Sequence, residues 1–194
     1  MCGLNPQLCI CQHIPRLQTR TRLALVIHAK ELKRTTNSGT LALAALINSE
    51  QRIRGLTPEA VDLSDLIRPE YESILLYPSD GAQELSPNTV KDFSKPVLLI
   101  VPDGNWRQAS KVHTRHLELA ALRRVMIKTP NLAEHHLRRE SNPYGMSTLE
   151  AIARAFAVLE GEEAGLKLMR LYKAKLQATL TGRGVKVGDE SLDP

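Results

Sequence analysis

Residues 97–106 read VLLIVPDGNW. Five apolar residues in succession, three of them β-branched, fit a strand covered on both faces. Pro102 and Gly104 are turn formers that end it, and Asn105 is a helix-capping type standing just ahead of Trp106. The stretch predicts a strand over 97–101, a loop over 102–105 and a helix from 106. Trp106, Ala109, His113, Leu117 and Ala120 then share one helical face, while Arg107, Lys111 and Arg115 form a basic stripe on another. A strand buried on both faces belongs to a mostly parallel sheet flanked by helices, so the chain is predicted to be a layered α/β protein.

The rest of the chain repeats this alternation. Strands are predicted over 22–28 (RLALVIH), 74–77 (ILLY) and 124–128. Ser38 is placed to cap a helix through Leu41, Ala44, Ala45 and Leu46, with Asn37 and Thr36 as rival caps. Thr57-Pro58-Glu59 looks like a second helix start, with proline at the first position. Ser147 or Thr148 caps a helix that turns Leu149, Ile152, Ala153, Phe156 and Ala157 inward. A last helix carries Leu166, Met169, Lys173, Leu176 and Leu180 at helical spacing. Three parts are expected: a cysteine-rich segment over 1–21, one catalytic domain over 22–181, and a flexible, glycine-rich charged tail over 182–194. No internal repeat is visible.

Composition narrows the function less. Of 194 residues, 42% are hydrophobic and 24% charged, an ordinary globular balance. Lysine and arginine total 26 against 21 acids, a net charge of +5 that suits an anionic partner such as RNA without identifying one. There is no apolar run of membrane-spanning length and no secretory pattern at the start. Three cysteines crowd the first eleven residues and none follows, which argues against a disulfide framework. The reducing cytoplasm is the expected compartment. A monomer is the expected state.

In open α/β sheets, ligands bind beyond the carboxyl ends of the strands. The loops at 102–105, 78–81 and 142–148 all sit at strand ends or helix starts, so they are expected to build one pocket. Gly104 allows close backbone approach, and the helix starts after Asn105 and Ser147 offer unpaired N–H groups. Asp103 reads either as a loop or cap acid or as a working carboxylate. Trp106 reads either as a core anchor or as a pocket wall. Cys2, Cys9 and Cys11, spaced C-x6-C-x-C, with His13 two residues on, offer soft ligands for a tetrahedral zinc. The fourth ligand is either His13, an upstream cysteine or a partner chain's residue. The other reading is three free thiols. No Walker or dinucleotide glycine motif is present.

Taken in order, these segments resemble the DTW-domain family, the tRNA-uridine aminocarboxypropyltransferases. The resemblance rests on the cysteine cluster; His28-Ala29-Lys30-Glu31 with Arg34 and Asn37-Ser38-Gly39; Leu76-Tyr77-Pro78-Ser79; Asp103-Gly104-Asn105-Trp106; and Ser147-Thr148-Leu149-Glu150-Ala151. It covers about residues 2–160. Asn105 stands where the family usually has threonine, and the cysteine cluster is one short of the usual four.

The resemblance implies a fold like the knotted, S-adenosylmethionine-binding SPOUT methyltransferases. It implies transfer of the 3-amino-3-carboxypropyl group of S-adenosylmethionine to N3 of a tRNA uridine. Asp103 would then be the proton acceptor, or would attract the sulfonium. Leu76, Tyr77, Pro78, Ser79, Pro102 and Gly104 would meet adenine and ribose, with Trp106 as wall or helix anchor. Ser147, Thr148 and Leu149 would receive the amino-acid carboxylate at a helix start, and Glu150 either the amino group or only the helix dipole. RNA would be met by Arg107, Lys111, Arg115, Arg138 and Arg139, with His28 and Arg34 in the same groove; the alternative is a solvated basic face. A structural zinc is favoured at Cys2, Cys9, Cys11 and His13. The competing functions are a related rRNA transferase, a methyltransferase on the same cofactor, and a non-catalytic zinc-bearing RNA binder.

Overall fold

The computed structural model describes residues 2–57, 61–128, 136–137 and 145–185, with Trp106 and His113 described by their backbone alone. Among the described residues, six strands form one sheet: β1 Arg22–His28, β2 Ser49–Arg54, β3 Glu72–Leu76, β4 Gln83–Glu84, β5 Val97–Asp103 and β6 Arg123–Met126. Their order is β2-β1-β5-β3-β6-β4, and every pairing is parallel. The layered α/β fold expected from the alternation is the fold observed.

Period-two alternation sends side chains to both faces of the central strands. Leu23, Leu25, Ile27, Leu99 and Val101 join one core with α1 (Gly39–Ala45), α6 (Thr148–Glu160) and α7 (Glu162–Gly182). Ala24, Val26, Leu98 and Ile100 join a second core with Leu63, Leu66, Val112 and Leu119. Each such leucine or valine contributes about 1.5–3 kcal/mol through burial. The sheet is therefore covered on both sides, as its apolar strands require.

β5 runs further than its apolar run suggests. Pro102 and Asp103, expected in a loop, remain paired with Val26 and Ile27 of β1. β3 stops pairing with β5 at Ile100, so Pro102 lies where β5 borders β1 alone. That position tolerates a residue without a backbone N–H better than a two-sided one would. Asp103 is thereby fixed by the sheet.

The single helix expected from Trp106 is instead three short ones, α3 Trp106–Ala109, α4 Val112–Arg115 and α5 Leu117–Ala120. Ser110 and Thr114 hydroxyls bond back to the carbonyls of Arg107 and Lys111, the local competition that weakens a helix. The buried face passes through Ala109, Val112, His116 and Leu119, while Leu117, expected inside, is 79% exposed. Arg107, Lys111 and Arg115 are exposed as expected.

β2 and α2 (Pro87–Lys91) were not visible as elements in the sequence. β2 is polar, reading SEQRIR, because it forms the sheet edge. The helix start expected at 57–59 falls largely outside the described residues. α6 and α7 join at Gly161, whose φ of +99° suits glycine. They approach closely: a Cβ on Gly165 would lie 2.4 Å from that of Ala157. The phase of α7 also differs from expectation. Lys175 and Thr179 are buried with Leu168, Leu176 and Leu180, and Leu166 is largely exposed. Helix continues through Gly182, one residue past the boundary expected at 181.

The N-terminal segment joins the main core rather than standing apart, since Cys2 and Ile10 are buried in it. Among the described residues, no helix is long and apolar enough to cross a membrane.

Candidate functional site

A cleft of about 100 Å³ opens at the carboxyl ends of the central strands. Leu76, Tyr77 and Pro78 reach it from the end of β3, and Val101, Pro102 and Gly104 from the end of β5. Ala109 of α3 and Ile127 after β6 close two sides, with Met146, Thr148 and Ala151 at the start of α6. Of the three loops expected to build one pocket, Pro78, Pro102 with Gly104, and Met146 with Thr148 line this cleft, while residues 142–144 lie outside the described residues. Val101, Ala109, Ile127 and Met146 carry no motif, so only the fold reveals them as wall, and Ala151 enters it as the last residue of the Ser147–Ala151 motif.

Asp103 lies beside this cleft, 4% exposed. Asn37 Nδ2 donates to its Oδ2 at 2.6 Å, and the Thr148 hydroxyl donates to its Oδ1 at 2.5 Å. Asn37 also caps α1, its Oδ1 accepting from the Thr40 N–H at 3.1 Å. The rival cap therefore prevails over Ser38, whose hydroxyl accepts instead from the Leu149 N–H at 3.1 Å. The starts of α1 and α6 are thus tied to each other and to β5 through Asn37, Ser38, Asp103 and Thr148. Gly39 is required here, because a Cβ would stand 2.8 Å from Asp103 Oδ2.

Asn105 and Gln108 form a reciprocal cap. The Gln108 N–H donates to Asn105 Oδ1 at 2.9 Å, and the Asn105 N–H to Gln108 Oε1 at 2.8 Å. The departure from threonine at position 105 leaves the helix start intact. Burial pushes the Tyr77 phenol up, against a hydrogen bond with Ser110, so the ring meets the cleft uncharged at neutral pH. Ser79 Oγ is buried without a hydrogen-bond partner among the described residues.

Other expected residues sit elsewhere. Ser147 caps α6 by accepting from the Glu150 N–H at 3.2 Å. The Leu149 side chain is in the core, and the Glu150 carboxylate is buried against Arg154 at 2.9 Å, so neither lines the cleft. His28 ends β1 and accepts from the Lys30 N–H at 3.2 Å; Arg34 pairs with Glu31 at 3.3 Å. The Trp106 side chain, Arg138 and Arg139 lie outside what is described.

In the N-terminal segment, the Sγ atoms of Cys2, Cys9 and Cys11 lie within 4.8 Å of one another. Three converging thiols fit a thiophilic metal ion. Burial works to raise the Cys2 thiol, but hydrogen bonds from the Ile10 and Leu4 backbone and from Cys11 and Cys9 bring it down to about 7. His13 does not join them. Its ring is exposed beside Gln12, because the turn at Cys11–His13 carries it away from the sulfurs. Lys175 reaches in from α7, donating to the Cys2 carbonyl at 2.8 Å.

A parallel α/β sheet with a cleft at its carboxyl edge, bordered by the motif segments, is the layered α/β class of fold expected from the sequence. The DTW domain matches residues 1–180, and the chain belongs to the DTW-domain family. It is 26% identical over 165 residues to a mouse protein named tRNA-uridine aminocarboxypropyltransferase 2, covering 82% of this chain and 55% of that protein. It is 30% identical over 101 residues to a 16S rRNA aminocarboxypropyltransferase of Vulcanisaeta distributa, covering 52% of each. The chain thus spans about half the length of these relatives. Its fold is similar to the structure of the SAM-dependent rRNA:acp-transferase Tsr3 from Vulcanisaeta distributa. The TM-score is 0.53 at 15% identity, over 88% of this chain and 94% of that one.

Proposed function

We propose that this protein transfers the 3-amino-3-carboxypropyl group of S-adenosylmethionine to N3 of a uridine in tRNA. The observation that carries the reading is the cleft itself. It is walled by the segments that mark the DTW family, with Asp103 fastened behind Thr148 at its edge.

In the reaction, a bond forms between uridine N3 and the Cγ carbon of the methionine chain. The sulfur–Cγ bond breaks, its electron pair stays on sulfur, and methylthioadenosine leaves uncharged. The N3 proton must depart as the bond forms, which is general-base work. Asp103 is the acceptor in this proposal. Thr148 stands between it and the cleft, so the proton passes to the Thr148 oxygen as the hydroxyl proton moves to Asp103 Oδ1. The apolar walls from Leu76, Val101, Ile127 and Met146 hold the donor so that Cγ, rather than the methyl, faces the base. The Leu149 and Glu150 N–H groups are already taken by Ser38 and Ser147, so the amino-acid carboxylate would be drawn by the positive end of the α6 dipole. We assign zinc to Cys2, Cys9 and Cys11 as a structural ion, and the cytoplasm as the compartment in which those thiols stay reduced.

The test uses unmodified tRNA and, in parallel, rRNA, each incubated with S-adenosylmethionine, digested and weighed as nucleosides. The expected product is a tRNA uridine heavier by one aminocarboxypropyl group. A methylated nucleoside, or a product only on rRNA, overturns the reading. Asp103→Asn should lower the rate about a hundredfold or more, and Thr148→Val should approach that loss while Thr148→Ser keeps most of the activity.

A further inference from the structure

Arg54 ends β2 and is only 7% exposed. Among the described residues it has no carboxylate partner. Its Nη2 donates to the Gln108 carbonyl, and its Nε is buried without a partner. A buried guanidinium held by one neutral acceptor is costly. The same strand shows the usual remedy: Arg52 lies on Glu50 at 2.7 Å, together with Arg22 and Arg68 from nearby segments.

The surroundings add positive charge. Burial and then the neighbouring Arg115 disfavour the charged form of Arg54. Burial, Arg54 and Lys30 all act to lower the His28 imidazole, with Glu31 alone opposing, and Glu31 is engaged by Arg34. Gly55 lies under the His28 ring, where a Cβ would come within 3.0 Å of Nε2, so the ring stays at the rim.

This cluster borders the cleft. Gln108, which takes the Arg54 hydrogen bond, precedes the wall residue Ala109, and a Cβ on the wall residue Gly104 would meet Gln108 Cβ at 2.8 Å.

We propose that Arg54, with Arg115 and His28 at its rim, binds a phosphodiester of the RNA strand whose base enters the cleft. The inference rests on the RNA reading given under Proposed function. A guanidinium fork matches phosphate geometry and gains most where it is already desolvated. Phosphate contacts set register, and a site one residue from the cleft wall registers the nucleotide being modified.

The experiment measures unmodified tRNA binding to the full chain across a salt series, and S-adenosylmethionine binding without RNA, for wild type, Arg54→Met, Arg54→Lys and Arg115→Ala. Arg54→Met and Arg115→Ala should each weaken tRNA binding about tenfold and flatten the slope of log K against log salt by about one. S-adenosylmethionine affinity should stay at the wild-type value, and Arg54→Lys should retain most of the slope. The site is overturned if both charge-removing variants keep wild-type RNA affinity and slope. It is equally overturned if Arg54→Met loses S-adenosylmethionine affinity while RNA binding holds, because the anion would then be the donor's carboxylate. Should Arg54→Met fail to fold, the exposed Arg115→Ala decides alone. Wild type that binds S-adenosylmethionine but no RNA removes the RNA reading and this site with it. Wild type that modifies RNA alongside unchanged variants removes only the site.

Discussion

Asp103 Oδ2 occupies the space that a side chain at position 39 would need. Gly39→Ala would force a methyl against a carboxylate held from two sides, since Asn37 and Thr148 both bind it. The variant should lose about 1–3 kcal/mol of stability in a denaturant titration and, in the transfer assay, a large part of the rate. Asn105 gives the opposite lesson. Its amide caps α3 as well as a hydroxyl could, so Asn105→Thr should melt like wild type, whereas Asn105→Ala should lose about 1 kcal/mol. At this scale the sequence left Asp103 between a loop or cap acid and a working carboxylate, and Thr148 between a cap and a ligand contact, while Asn105 could be picked out from it as a capping residue. The partnership of Asn37 with Asp103, 66 positions apart, could not, because no local pattern encodes which distant amide meets a carboxylate.

Among the elements, the edge strand β2 is held by charge. Glu50 receives Arg22, Arg52 and Arg68. Burial works to raise its carboxyl, but the Arg22 hydrogen bond and the three nearby cations outweigh this and hold it below the usual 4.5. A carboxyl depressed in the folded state binds protons more readily once unfolded. Its stabilisation is therefore fully present above about pH 4.5 and fades as pH falls through the lower folded value. Glu50→Gln should cost about 1–2 kcal/mol at neutral pH, little because the arginines are about a quarter exposed. Its stability should also vary less than wild type between neutral and acid pH in parallel urea titrations. β2 escaped a reading by hydrophobic period for the same reason that it needs this network: an edge strand buries too little to be apolar. The break of the 106–120 region into three helices was likewise hidden. Helical spacing is nearly satisfied throughout, and only packing against the sheet selects Ala109, Val112, His116 and Leu119 as the inner face.

For the whole molecule, the N-terminal segment and α7 are tied together. Lys175 on α7 holds the Cys2 carbonyl, and Leu8 lies against Gly182. A metal at Cys2, Cys9 and Cys11 would close this tie. Zinc at a hundredfold excess over its Kd should add about 2.7 kcal/mol, raising the melting temperature of a protein this size by about 5–10 °C. Cys9→Ser should lose most of that gain and His13→Ala none, as calorimetry with and without a chelator would register. Melting unchanged by zinc would remove the metal from the proposal.

Local chemistry alone dictated the strands around 97–101 and 22–28, the parallel α/β class they imply, and the thiol cluster. Those readings rest on unbroken apolar runs and on spacing within a few residues. Only the folded chain decided that β5 lies between β1 and β3, that Asp103 faces Asn37 and Thr148, and that Arg54 is buried with no acid partner among the described residues. Each of these depends on which distant segments become neighbours, and that is settled by packing the two cores against one sheet, a long-range balance that no single segment carries.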